Sequence, residues 1–128
     1  GEGVTSAASK PGMLGKIGTD GRIAPSTVAG ALIPQRIVTE EAASLYGGTV
    51  DTEYASGDLV SYWYPLPGDH ANLLLAAEQN VGVDDILIST TDGTFIATTG
   101  TPALSAWQAI EALDLTGELA SLVRAVKL

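Results

Sequence analysis

Cysteine is absent from the 128 residues, which excludes a disulfide framework, a thiolate nucleophile and any thiolate-held metal. The single histidine, His70, excludes histidine-rich metal clusters and leaves one imidazole for base chemistry. Aromatic residues make up only 5% of the chain, so a core has to be built from Ala, Val, Leu and Ile. Basic residues are few as well: 6 Lys and Arg stand against 15 Asp and Glu, a net charge of −9. That balance repels phosphate backbones and argues against a direct nucleic-acid partner. The only lysines are Lys10, Lys16 and Lys127. Such acidity serves solubility first, with a high-salt environment as the alternative source. Long apolar runs are also missing. The longest, Ala71 to Ala77, is interrupted by Asn72 and is far shorter than the roughly 20 residues of a membrane-spanning helix. No charged-then-apolar leader opens the chain. A soluble protein without membrane association is expected.

What the chain does have is aliphatic bulk and frequent punctuation. Hydrophobic residues reach 45%, enough for one domain with its own core. The 15 glycines and 6 prolines interrupt the sequence too often for a helical bundle. The chain also repeats itself. Asp20-Gly21 and Asp92-Gly93, two hairpin-type turn signals, lie 92 − 20 = 72 positions apart. Glu40 after Ile37-Val38-Thr39 and Glu111 after Gln108-Ala109-Ile110 lie 111 − 40 = 71 apart. Two landmarks in nearly one register point to a duplicated β unit.

Residues 1–10 are small and polar and read as a flexible arm; residues 11–128 read as a single β domain. Met13 to Ile17 and Arg22 to Ala24 flank the first Asp-Gly turn, and Asp85 to Ser89 and Thr94 to Thr98 flank the second. Further strands are expected at Arg36 to Thr39, Leu59 to Tyr64, His70 to Ala77, Ala106 to Leu113 and Ser121 to Leu128. Glu40 to Tyr46 suits one helical turn ended by Gly47-Gly48, and Thr49 to Ser56 a polar surface excursion. Pro65-Leu66-Pro67-Gly68-Asp69 is a rigid turn, because two prolines fix φ and remove donors. The expected fold is all-β: a small barrel or sandwich of eight to ten short strands, built from a duplicated hairpin unit, with an extended N-terminal arm.

No constellation rises to catalysis. His70 follows Asp69, but strand neighbours point to opposite faces and cannot orient each other as a triad requires. Asp84-Asp85, Glu40-Glu41 and Asp51/Glu53 are candidate carboxylate pairs for hydrolysis, yet a chain this acidic places such pairs on solvated faces. Asp51, Glu53 and Asp58 supply oxygen ligands for calcium without matching an EF-hand spacing. Gly12-x-x-Gly15 lacks the lysine-serine pair of a phosphate loop. Tyr62-Trp63-Tyr64, with Tyr54, places at least one ring outward; an exposed tyrosine here suits a protein interface, and a sugar platform is the alternative. No enzyme activity and no cofactor are expected.

The order of short elements resembles a family. Pro11-Gly12-x-Leu14 and Asp20-Gly21-Arg22-Ile23 are followed by Ile37-Val38-x-Glu40, Tyr54-Ala55-x-Gly57-Asp58-x-Val60 and Pro67-Gly68-Asp69. Then come Glu78-Gln79-Asn80-Val81, Asp85-x-Leu87, Asp92-Gly93, Ala109-Ile110-Glu111-Ala112 and Leu122-Val123-Arg124-Ala125. This is similar to the head-decoration, or cement, proteins of tailed bacterial and archaeal viruses. Where those proteins place Gly-Asp, this chain has Val83-Asp84-Asp85, which implies a different turn geometry. The resemblance implies a homotrimer that binds the major capsid protein on the capsid exterior, after assembly in the host cytoplasm, and stabilises the shell. In this chain Lys10 and Lys16 would face the capsid, and Tyr54, Tyr62 and Tyr64 would border a protomer or capsid interface. A turret, tail or fibre component, or a carbohydrate-binding domain, is the competing expectation.

Overall fold

The computed structural model describes residues 2–4, 6–27, 36–38, 55–98 and 106–128. Those residues are all-β: they form twelve strands and no helix, and none of their segments is a helix long and apolar enough to cross a membrane. The first five strands are β1 (Glu2–Val4), β2 (Leu14–Ile17), β3 (Ile23–Pro25), β4 (Arg36–Val38) and β5 (Leu59–Trp63). The remaining seven are β6 (His70–Leu75), β7 (Asn80–Val81), β8 (Ile86–Ser89), β9 (Phe95–Thr98), β10 (Trp107–Ala109), β11 (Leu113–Asp114) and β12 (Ser121–Lys127). The expected helical turn over Glu40–Tyr46, the carboxylates Asp51 and Glu53, and Tyr54 lie outside the described residues.

The two Asp-Gly hairpins belong to two copies of one sheet. The first has the order β1-β5-β4-β2-β3; the second is a closed barrel in which β6-β12-β10-β8-β9 run in the same order. Their registers coincide: Lys16 pairs with Ala24 as Ile88 pairs with Ile96, and Gly15 faces Arg36 as Leu87 faces Trp107. Val38 faces Tyr62 as Ala109 faces Ala125, and Val4 faces Leu59 as Leu74 faces Leu122. The second barrel closes where β6 meets β9, with Ala76 N donating to Phe95 O at 2.8 Å. In the first repeat Ser6 N donates to Ile23 O at the same place and the same 2.8 Å. β7 and β11 form a separate two-stranded ribbon in the second repeat.

Two segments differ from the sequence reading. Glu2–Val4, read as part of a flexible arm, is an edge strand paired to β5, and Ser9 is buried. The ladder, not local hydrophobicity, orders this segment, so the sequence carries no alternating signal for it. Ala106–Leu113 is not one strand. It breaks after Ala109, where the Glu111 carboxylate takes the Arg124 N–H at 2.8 Å in place of a ladder partner. The turn at Gly82-Val83-Asp84-Asp85 shares the geometry of Lys10-Pro11-Gly12-Met13. Both close with a 3.2 Å backbone bond, and both hold a left-handed third residue, φ 87° at Gly12 and 72° at Asp84.

The core is aliphatic around one aromatic pair. Leu73, Leu75, Leu87, Val123, Phe95 and Trp107 are sealed inside the second barrel with Ala109 and Ala125, while Leu14 joins them from the first repeat. On β12 the buried face is Val123 and Ala125, and Arg124 faces solvent. Leu14 N donates to Gly93 O at 2.8 Å and Leu74 N to Gly12 O at 2.9 Å, which fastens the repeats together through backbone.

Gly12 is the tightest point of that junction. A Cβ there would lie 2.5 Å from Leu122 Cδ2 and 2.7 Å from the Leu74 backbone nitrogen. Gly57 has a similar φ of 95° but open space around it. Gly57→Ala is therefore expected to cost only the left-handed penalty, about 1–2 kcal/mol. Gly12→Ala adds a displacement of the repeats and should cost about 3 kcal/mol or more, read as a lower urea midpoint at unchanged slope.

Candidate functional site

One turn recurs ahead of the strands and consumes much of the acidic chemistry. Ala55-Ser56-Gly57-Asp58 precedes β5, Leu66-Pro67-Gly68-Asp69 precedes β6, and Gly82-Val83-Asp84-Asp85 precedes β8. In each, the third residue is left-handed and the final aspartate accepts the first residue's N–H, at 2.9, 2.7 and 2.8 Å. Lys10-Pro11-Gly12-Met13, ahead of β2, has the same plan with Met13 Sδ accepting the Lys10 N–H at 3.0 Å. Asp58, Asp69 and Asp85 are thus turn-closing acceptors. Asp69 spends its carboxylate on Leu66, leaving exposed His70 without the orienting partner that a triad needs. Asp85 is spent likewise, and Asp58, the described member of the calcium candidate, closes its own turn. Among the described residues no group of three or more His, Asp or Glu could hold a metal ion.

The acidic residues with shifted titration are also turn residues. Asp92 Oδ1 accepts the hydroxyls of Thr90 and Thr94 and the Thr94 N–H, which holds its carboxyl below the ordinary 3.8 despite partial burial. Asp114 is lowered in the same way by the Thr116 hydroxyl and N–H. Asp20, at the equivalent place in the first hairpin, accepts the Arg22 N–H at 3.0 Å. The Asp-Gly turns therefore build hairpins and leave no carboxylate aimed into a cleft.

Several large apolar or aromatic side chains are exposed among the described residues. Tyr64 is 50% exposed and Leu66 62%. Their linker runs beside the end of β12, where Gly68 N donates to Lys127 O and Lys127 N to Asp69 O, both at 2.8 Å. Leu128, also exposed, follows directly. Burial lowers the Lys127 ammonium, which stands 5.9 Å from the centre of the buried Trp107 ring. Tyr62 is half-buried on β5, and Trp63 packs against the core, so the aromatic run presents Tyr64 outward. Sequence reasoning found Tyr64 and missed Leu66 and Leu128; a leucine between two prolines in a turn was the available signal.

The two lysines do different things. Lys16 is exposed on β2 and donates to Thr27 Oγ1 at 3.2 Å. Lys10 is half-buried where the repeats meet, at the rim of an open groove of about 200 Å³ lined by Ala8, Ser9, Met13, Leu74, Thr94 and Ala120. The Ser9 hydroxyl is buried there without a hydrogen-bond partner. An open, mainly apolar groove with two hydroxyls, Ser9 and Thr94, and a single cation, Lys10, lacks the converging charged groups of an active site.

Against this geometry the comparisons fall into place. No protein-family model matches the sequence, and no curated protein matches it. The fold is similar to that of the head fiber gp8.5 N base of bacteriophage phi29, with a TM-score of 0.63 and 18% sequence identity. The likeness covers 100% of this chain and 92% of that one. At this identity it establishes a shared fold over the full length, both repeats included.

The acid limb of stability tests the role of Asp92. Its folded pKa lies below the unfolded one, so its contribution is present above about pH 4 and is lost as pH falls through the folded value. Asp92→Ala is expected to cost about 1 kcal/mol at neutral pH. Parent and variant should converge once the pH has fallen below the folded value, measured by urea melts across the range.

Proposed function

We propose that the chain is a structural virion protein of a tailed virus, held on the outer surface of the capsid, with no catalytic role. The observation that carries this is the full-length likeness to a phage head-fiber base. It is supported by aspartates that close turns and by exposed large side chains that include Tyr64, Leu66 and Leu128. Within that reading the head-fiber neighbour favours a fibre base, and capsid stabilisation as a decoration protein is the second role. Lys16, exposed on β2, and Lys10 are the cations we assign to an acidic capsid surface. Tyr62 and Tyr64, together with Leu66, are assigned to contacts between protomers of a homotrimer or with the capsid; Tyr54 belongs to the same assignment.

Purified protein should co-sediment with assembled capsids of its virus and not with unassembled capsid protein, since selective binding to the assembled state is what stabilises it by mass action. Lys16→Glu should weaken occupancy about tenfold, and the parent's binding should fall with added salt. Occupancy that raises the temperature of capsid disruption assigns the decoration role, and occupancy without that rise assigns the fibre-base role. A folded protein that ignores capsids removes the virion reading altogether.

A further inference from the structure

Because the repeats share one register, each residue at their junction has an equivalent at the opposite end of the tandem. On the first repeat the junction buries Pro11, Gly12, Met13 and Leu14; the equivalents on the second repeat are Val83, Asp84, Asp85 and Ile86, of which the first three are exposed. On the second repeat the junction buries Leu74, Gly93 and Thr94; the equivalents on the first are Val4, Gly21 and Arg22, all exposed. Val4 and Val83 are two of the few large apolar side chains in solvent, at 37% and 58% exposure, and each matches a buried junction residue. Gly93 approaches Leu14 O, whereas a Cβ at Gly21 meets nothing within 4 Å. The contact is heterologous, since different surfaces meet, so its two halves are left over at the two ends. Such contacts propagate into open chains unless something stops them.

Asp84 is placed to stop them. Its turn superimposes in hydrogen bonding and φ on the turn of Gly12, where a Cβ would meet the Leu74 nitrogen at 2.7 Å. We propose that the outward faces around Val4–Gly21 and Val83–Asp84 are the two halves of a repeat-to-repeat interface for a second copy of this chain, and that the Asp84 side chain blocks it. One term favours association: Arg22, standing where Thr94 stands, would come near Asp84 and Asp85. An exposed ion pair is a weak, screened attraction, whereas overlap with backbone cannot be relieved by a rotamer change, so the block prevails. The block also protects β1, the edge strand of the first sheet, from pairing with another molecule. This inference rests on the fold alone and stands whether or not the chain binds capsids.

The test restores the first repeat's residues at the blocked turn. Val83→Pro/Asp84→Gly/Asp85→Met is expected to form head-to-tail species larger than any the parent forms, growing with concentration in sedimentation velocity. Asp84→Gly alone, which only removes a side chain from a left-handed residue, should show the same trend more weakly. Adding Val4→Lys, which places a charge on the other half of the contact, should return the triple variant to the parent's distribution. The inference is overturned where folded triple and single variants, with the parent's circular dichroism and melting transition, both sediment as the parent does. Growth that persists undiminished with Val4→Lys overturns it equally, because the association then uses another surface.

Discussion

A short turn with a left-handed third residue sets where the strands begin, and the register of both sheets depends on it. Such a residue needs φ near +60 to +90°, which costs an ordinary side chain about 1–2 kcal/mol and glycine almost nothing. The chain places glycine there ahead of β2, β5, β6 and β12, at Gly12, Gly57, Gly68 and Gly117. Ahead of β8 it places Asp84. With strands of only two to seven residues, a one-position slip would turn every buried side chain outward. Fixing the entry of each strand removes that freedom. The final aspartate adds a second lock by capturing the first N–H of the turn. The acidic composition follows in part from this device, because carboxylates are the turn-closing acceptors.

The same device explains how a duplicated chain can be asymmetric in function. Both repeats keep the turns, pairings and closing bond, and among the described side chains the second contributes Trp107, Phe95, Leu87 and Val123 to the core. It also adds the β7–β11 ribbon, where the Glu78 carboxylate accepts the Gly117 N–H at 2.8 Å and Leu115 N donates to Gln79 O. The first repeat contributes Leu14 and lends its Pro11-Gly12 turn as a wedge against β6. The two repeats are fastened to each other by backbone hydrogen bonds and a glycine contact that admits no side chain.

The architecture was legible in the sequence because its signals are local. Asp20-Gly21 and Asp92-Gly93 announced two hairpins in one register, and the β-branched runs of β5, β8 and β12 announced strands. β1 was not legible, since Gly3 and its neighbours gain order only from the ladder with β5. The break between β10 and β11 was hidden because it depends on Glu111 reaching Arg124 across the sheet. Of the proposed contact surface, the aromatic run pointed to Tyr62 or Tyr64 without deciding which faces outward. Leu128 was not legible, because its neighbourhood with Leu66 is made by the packing of the linker against β12.

Glycine content, finally, cannot identify the residues at which this fold is sensitive. Gly21, Gly57, Gly68 and Gly117 share the left-handed φ of Gly12, yet a Cβ at each would enter open space. Gly12 and Gly93 alone among the left-handed glycines meet another repeat's backbone. Of these left-handed glycine turns the junction uses two, one of each kind. The equivalents of those two, Asp84 and Gly21, then became ends of the molecule. At an end the requirement reverses: a side chain that would destroy the junction becomes the means of confining the contact to one pair of repeats. Asp84 accepts the strain of a positive φ, in a turn where glycine would be easier, because its bulk and charge face outward at the place where a further repeat would otherwise fit.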